Sequence, residues 1–195
     1  MRLFVAIAPP AGVLDELEAK VAPLRAQWPE LRWTGREAWH LTLAFLGEVG
    51  EEAAVALAPR LERAAHRHPS LALSFGPGGA FPSAGRARVL WTGIDGDRAA
   101  LTALAMSVAA GARRAGAAPP DEGRQFRPHV TLARCRQPAD VRPLVASLAG
   151  YSGTGWNAAE IHLIRSHLPG PGQRAPRYEM VGTWPLRARQ GPSVR

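Results

Sequence analysis

Between Leu3 and Ala8 six apolar residues run without a break and stop at Pro9-Pro10, the pattern of a short buried strand. Residues 10 to 27 change period: Val13, Leu14, Leu17, Val21 and Leu24 recur at three-to-four spacing while Asp15, Glu16 and Glu18 fall between them, which predicts a helix ended by Pro29. Trp39 to Glu48 returns to period two, with Trp39, Leu41, Leu43 and Phe45 assigned to one face of a strand and His40, Thr42 and Ala44 to the other. A helix over 51–67, a strand over Leu71 to Phe75, a Gly/Pro-rich loop from Gly76 to Gly85 and a strand from Ala87 to Ile94 follow. The second half repeats the alternation: a helix from Arg98 to Arg114, a loop over 116–128, a strand from His129 to Arg134, and a short helix from about Ala139 to Leu148. Two closing strands, about Ala158 to Leu168 and Arg177 to Pro185, are joined by LPGPGQRAP, and residues 187–195 read as a tail. This order predicts an α+β or mixed-sheet protein and excludes a solenoid, because no repeat of 20 to 50 residues is present.

Composition narrows the class. A chain of 195 residues with 46% hydrophobic content has room for one domain, or two small lobes sharing a core. The longest nearly apolar run, Leu101 to Ala112, is too short to span a bilayer, and the run at Leu3 to Ala8 is too short for the core of an export signal. A single cysteine, Cys135, excludes an internal disulfide and a four-cysteine zinc site; it is expected to pack as a small apolar residue in a reducing cytoplasm. Lys20 is the only lysine, so the net charge of +8 is carried by arginine, whose planar donors suit phosphate, although an arginine-rich composition alone explains the count equally well.

A longer repeat carries the chemistry. His40-Leu41-Thr42-Leu43 recurs as His129-Val130-Thr131-Leu132, each followed by alanine. Positions i and i+2 of a strand share a face, so each copy aims an imidazole and a hydroxyl together. If the halves pack about a pseudo-twofold axis, two imidazoles and two hydroxyls converge on one small anion. That set suits in-line displacement at phosphorus without a metal: one imidazole takes a proton from the attacking group and the other gives one to the departing oxygen. The threonine hydroxyls stabilise the non-bridging oxygens. Arg134, just beyond the second copy, is assigned to the same face. The other histidines read as structural: His66 and His68 as a solvated helix end, His162 and His167 as surface groups on opposite strand faces.

The two His-x-Thr motifs resemble those of the 2H phosphoesterases, in particular the prokaryotic RNA 2′,3′-cyclic phosphodiesterases, also called 2′-5′ RNA ligases. The opening RLFVAI, HLTLAFLGEV, FRPHVTLAR and the closing IHLIRSHLPGPGQRAPRYEMVGTWPL are similar to that family in order and spacing. The resemblance implies one bilobal domain over 1–186, with two antiparallel-rich sheets flanked by helices, a central cleft and one motif per lobe, followed by the tail 187–195. It implies opening of an RNA or nucleoside 2′,3′-cyclic phosphate to the 2′-phosphate, with no cofactor and no metal, by a cytoplasmic monomer acting on RNA ends, and reversible ATP-independent 2′-5′ ligation as the reverse chemistry. By the same resemblance His40 is the proton donor and His129 the proton acceptor, Thr42 and Thr131 hold the phosphate, Phe45 and Arg134 flank the base, and Tyr178 touches ligand or supports the cleft. A 2′-5′ oligoadenylate or ADP-ribose cyclic phosphate substrate, and a non-catalytic RNA-end-binding module, are the alternatives.

Overall fold

In a computed structural model, residues 1–117, 125–168 and 176–189 are described. The strands are β1 (Arg2–Ile7), β2 (Arg32–Trp33), β3 (Leu41–Glu48), β4 (Leu71–Phe81), β5 (Ala87–Gly96), β6 (His129–Ala139), β7 (Trp156–Ala158), β8 (Glu160–His167) and β9 (Arg177–Pro185). The helices are α1 (Ala11–Gln27), α2 (Glu51–Arg67), α3 (Arg98–Arg114) and α4 (Arg142–Leu148). Most of the two sequence-assigned loops, 118–124 and 169–175, and residues 190–195 lie outside the described residues.

Two antiparallel sheets form, in the orders β3-β1-β8-β9 and β2-β6-β5-β4-β7. Setting β2 aside, the second order repeats the first, with β6, β5, β4 and β7 standing where β3, β1, β8 and β9 stand. Each sheet therefore carries one His-x-Thr motif on the equivalent strand, as the pseudo-twofold reading expects. The lobes interleave along the chain, because the first sheet takes its last two strands from residues 160–185.

The periodic stripes are buried as read, except that Leu14 of α1 is only partly covered. Val13, Leu17, Val21 and Leu24 of α1, Leu57 and Leu61 of α2, and Leu101, Leu104 and Val108 of α3 join Leu3, Val5 and Ile7 of β1 and Leu90 and Ile94 of β5 in one core. Helix α2 starts with Glu51 and Glu52 and ends with His66 and Arg67, charges that match its dipole. It packs on α3 and β9, and α3 on β3; α4 lies on β4.

Four sequence expectations differ from the structure for physical reasons. The segment assigned to a loop from Gly76 is strand to Phe81, because its glycines lie beneath neighbours: a Cβ at Gly79 would collide with the Trp91 ring, and one at Gly78 with Leu148. Pro77 is accommodated where the β4–β5 register slips by one residue between Phe75 and Gly78. The short β2 and β7 have too few residues to show a period. His162 is buried rather than on the surface, 4% exposed, with Nδ1 3.0 Å from the Thr183 hydroxyl; cross-strand pairing places it beside Ala6. His167 does sit nearer solvent, with Nε2 2.8 Å from Glu179. Arg187 to Arg189 pack back on the fold: Ser70 N–H donates to the Arg187 carbonyl at 2.8 Å, and the Arg189 guanidinium reaches the Ser70 carbonyl and Asp97.

Candidate active site

Strict alternation would place Phe45, three residues after Thr42, and Arg134, three after Thr131, on the faces opposite their motifs. Both motifs contain a β-bulge that reverses this. On β3, Thr42 pairs with Ala6 and Ala44 with Val5, so Leu43 is the extra residue. On β6, Thr131 pairs with Trp91 and Ala133 with Leu90, so Leu132 is the extra residue. Beyond each bulge the parity flips. Phe45 then pairs with Phe4, whose face is turned away from the main core, and is 50% exposed. Arg134 pairs with Val89 on one side and Arg32 on the other. Phe45 and Arg134 thus occupy equivalent positions, each on the face of its own histidine and threonine. The facing assigned to Phe45 from period two is corrected, and that assigned to Arg134 holds only because of the bulge.

Aromatic rings enclose both imidazoles. His40 stands with its ring centroid 4.6 Å from Phe4 and 5.2 Å, edge to face, from Tyr178. His129 stands 5.0 Å from Phe81, again edge to face, and 6.1 Å from Trp91. Neither Phe4, Phe81 nor Trp91 was marked by the sequence. The available signal was an aromatic residue on the strand adjoining each motif, with glycine opposite Trp91 to admit its ring.

These surroundings lower both histidines. Burial among rings pushes His40 down to about 4. Burial also lowers His129, but its Nδ1 lies 2.7 Å from the Arg127 carbonyl, which resists that shift, while Arg134 adds to it. A carbonyl only accepts, so Nδ1 carries the proton and Nε2 of neutral His129 keeps a free lone pair. Tyr178 is raised by burial and feels the charges of Arg134, Glu37 and Arg2. Arg134 belongs to the other lobe, so its charge lies within electrostatic range of Tyr178 across the two sheets. Strands β3 and β6 also approach directly.

Cys135 is partly buried beside the core, and its thiol is raised by burial, as expected of an inert side chain. His68 is partly exposed at the end of α2, 2.8 Å from the Ser107 hydroxyl, and His66 is exposed; neither lies with the motifs. No helix among the described residues is long and apolar enough to cross a membrane.

The comparisons with known proteins agree with this fold. The family model described as the 2′-5′ RNA ligase superfamily matches residues 12–169. A protein named RNA 2′,3′-cyclic phosphodiesterase from Archaeoglobus fulgidus is 32% identical, over 85% of this chain and 89% of its own. One of the same name from Thermus thermophilus is 33% identical over 98% and 93%. Among solved structures, E. coli LigT complexed with 3′-AMP superposes with a TM-score of 0.73 at 28% identity, covering 95% of this chain and 97% of that one. Twin sheets with one bulged His-x-Thr strand apiece, and a family match spanning most of the chain, place the protein in the 2′-5′ RNA ligase superfamily, among the 2H phosphoesterases.

Proposed function

We propose that the paired motifs hydrolyse RNA or nucleoside 2′,3′-cyclic phosphates to 2′-phosphates. The observation that carries this reading is the equivalence of the two sites: each presents an imidazole, a threonine hydroxyl and, past a bulge, Phe45 or Arg134 on one face. Several relatives bear the name of this activity over most of their length.

In the proposed reaction water attacks phosphorus in line with O3′. Nε2 of His129, left free by the Nδ1 contact with Arg127, accepts the water proton as the new P–O bond forms. His40 donates a proton to O3′ as the P–O3′ bond breaks. The Thr42 and Thr131 hydroxyls donate to the non-bridging oxygens, whose charge grows in the transition state. Phe45 and Arg134 flank the base, and Arg134, with Arg32 directly opposite on β2, also draws RNA phosphate. Tyr178 shields His40 from water. With a 5′-hydroxyl in place of water the same displacement makes a 2′-5′ bond. The protein works in the cytoplasm as a monomer.

Incubation of a 2′,3′-cyclic mononucleotide with the protein, with and without EDTA, and assignment of the product by phosphorus NMR test the reading. EDTA-resistant release of the 2′-phosphate is expected. A 3′-phosphate product, or turnover that EDTA abolishes, overturns it.

A further inference from the structure

The strand β2 has no counterpart in the first sheet, and it lies immediately before the first motif: six residues, Thr34 to Trp39, separate it from His40. Yet β2 pairs with the second motif's strand, with Arg32 opposite Arg134 and Trp33 opposite Ala133. The chain therefore passes from the edge of one catalytic strand to the head of the other over a very short tether.

That tether is fastened at the bulge. Leu132, the extra residue of β6, interrupts the ladder and leaves backbone carbonyls to be satisfied. The Thr34 hydroxyl lies 2.8 Å from the Thr131 carbonyl and 2.9 Å from the Leu132 carbonyl, sharing its one hydrogen between them, and Thr34 N–H donates to the Leu132 carbonyl at 2.9 Å. The same hydroxyl oxygen accepts from Nε1 of Trp39 at 3.0 Å. Trp39, 2% exposed, is the residue next to His40. An unbroken path of hydrogen bonds thus runs from the backbone of Thr131, through one hydroxyl, to the indole of the residue that precedes His40. Midway, Arg36 reaches Asp15 and the Ala11 carbonyl on α1, and a 3-10 turn over Arg36–Ala38 holds the spacing.

We propose that Thr34 and Trp39 are positioning residues that set the separation of the two histidine motifs. Neither contacts substrate; they act by holding His40 and His129 at the spacing that in-line transfer requires. The inference rests on the proposed phosphodiesterase reading. In-line proton transfers tolerate little displacement, since about an ångström of misplacement can cost up to about a hundredfold in rate.

The test is steady-state hydrolysis of a 2′,3′-cyclic nucleotide by wild type, Thr34→Val, Thr34→Ser and Trp39→Phe, with thermal melts of each. Thr34→Val keeps the shape and removes the hydroxyl; kcat is expected to fall about tenfold while KM stays within about threefold. Thr34→Ser restores the hydroxyl and is expected to return kcat to within about threefold of wild type. Trp39→Phe, which keeps a ring and loses the donor, is expected to lower kcat in the same way, and it serves if Thr34→Val does not fold. Thr102→Val, which deletes a hydroxyl bond to the Arg98 carbonyl on the exposed face of α3, is the control for a merely structural loss and is expected to leave kcat unchanged. A lowered melting temperature with wild-type kcat in Thr34→Val and Trp39→Phe overturns the inference and leaves the phosphodiesterase reading standing. Absence of turnover in the wild type overturns both.

Discussion

In the free protein His40 is neutral at pH 7, because burial beside Phe4 and Tyr178 holds it near 4, yet the proposed reaction needs its proton. The substrate resolves the conflict. A cyclic phosphate carries one negative charge; about 4 Å from the imidazole, at an effective dielectric of about 20, that charge is worth ~4 kcal/mol. At 1.36 kcal/mol per unit, His40 should rise by about three units, to about 7 in the complex. Between these two values the complex holds one more proton than the free protein. Binding must then take up about one proton, and affinity must fall about tenfold for each unit of pH rise from about 5 to about 7. Calorimetry on His129→Ala, which keeps His40 but stops turnover, with a 2′,3′-cyclic nucleotide in buffers of different ionisation enthalpy, measures that uptake. The imidazole carbon-bound proton of His40, followed by NMR, gives the two titrations directly. Binding without proton uptake, or a free His40 titrating near 6.5, refutes the reasoning.

The same shift acts on folding. With His40 near 4 in the fold and about 6.5 unfolded, the unfolded chain binds the extra proton between those values, so stability is lost as pH falls through that window. Roughly 3 kcal/mol is at stake, and His40→Phe should flatten that part of a urea-denaturation pH profile. Tyr178→Ala opens the ring cage and should return His40 toward 6.5 by NMR, whereas Tyr178→Phe keeps the cage and should leave it low. Arg134→Ala should raise KM for an RNA cyclic phosphate roughly tenfold and reduce the salt dependence of binding by about one ion, measured by titration across ionic strengths. Gly79→Val drives a side chain into the Trp91 ring and should cost about 1–3 kcal/mol in denaturant melts, with a loss of turnover through the His129 wall.

Sequence alone located both motifs because each is a local object: four residues in period-two surroundings, duplicated in opposite halves. It misplaced Phe45 because Leu43 carries no mark of a bulge. Neither Gly nor Pro stands at Leu43 or Leu132, and the extra residue exists only in the register against β1 or β5. The strand through Gly78 and Gly79 was hidden for a related reason. Turn-forming composition yields to a neighbouring side chain that needs an empty backbone beneath it, and that neighbour is Trp91, a dozen residues on. The aromatic walls of Phe4, Phe81 and Trp91 depend on which strands become adjacent. So does the burial of His162, decided by its pairing with Ala6 and its contact with Thr183 rather than by its own alternation. Helix stripes survived intact because their period is fixed within the helix itself.

The central claim is that His40 and His129 work as one unit on a single phosphorus. Groups that act together in one transition state do not contribute independently, so removing either should forfeit most of what both supply. Turnover of a 2′,3′-cyclic nucleotide by His40→Ala, His129→Ala and the double variant, all shown folded by circular dichroism, measures this directly. The account predicts that each single variant loses at least about a hundredfold and that the double variant falls little further. Near wild-type turnover in either single variant, or losses that multiply in the double, contradicts it.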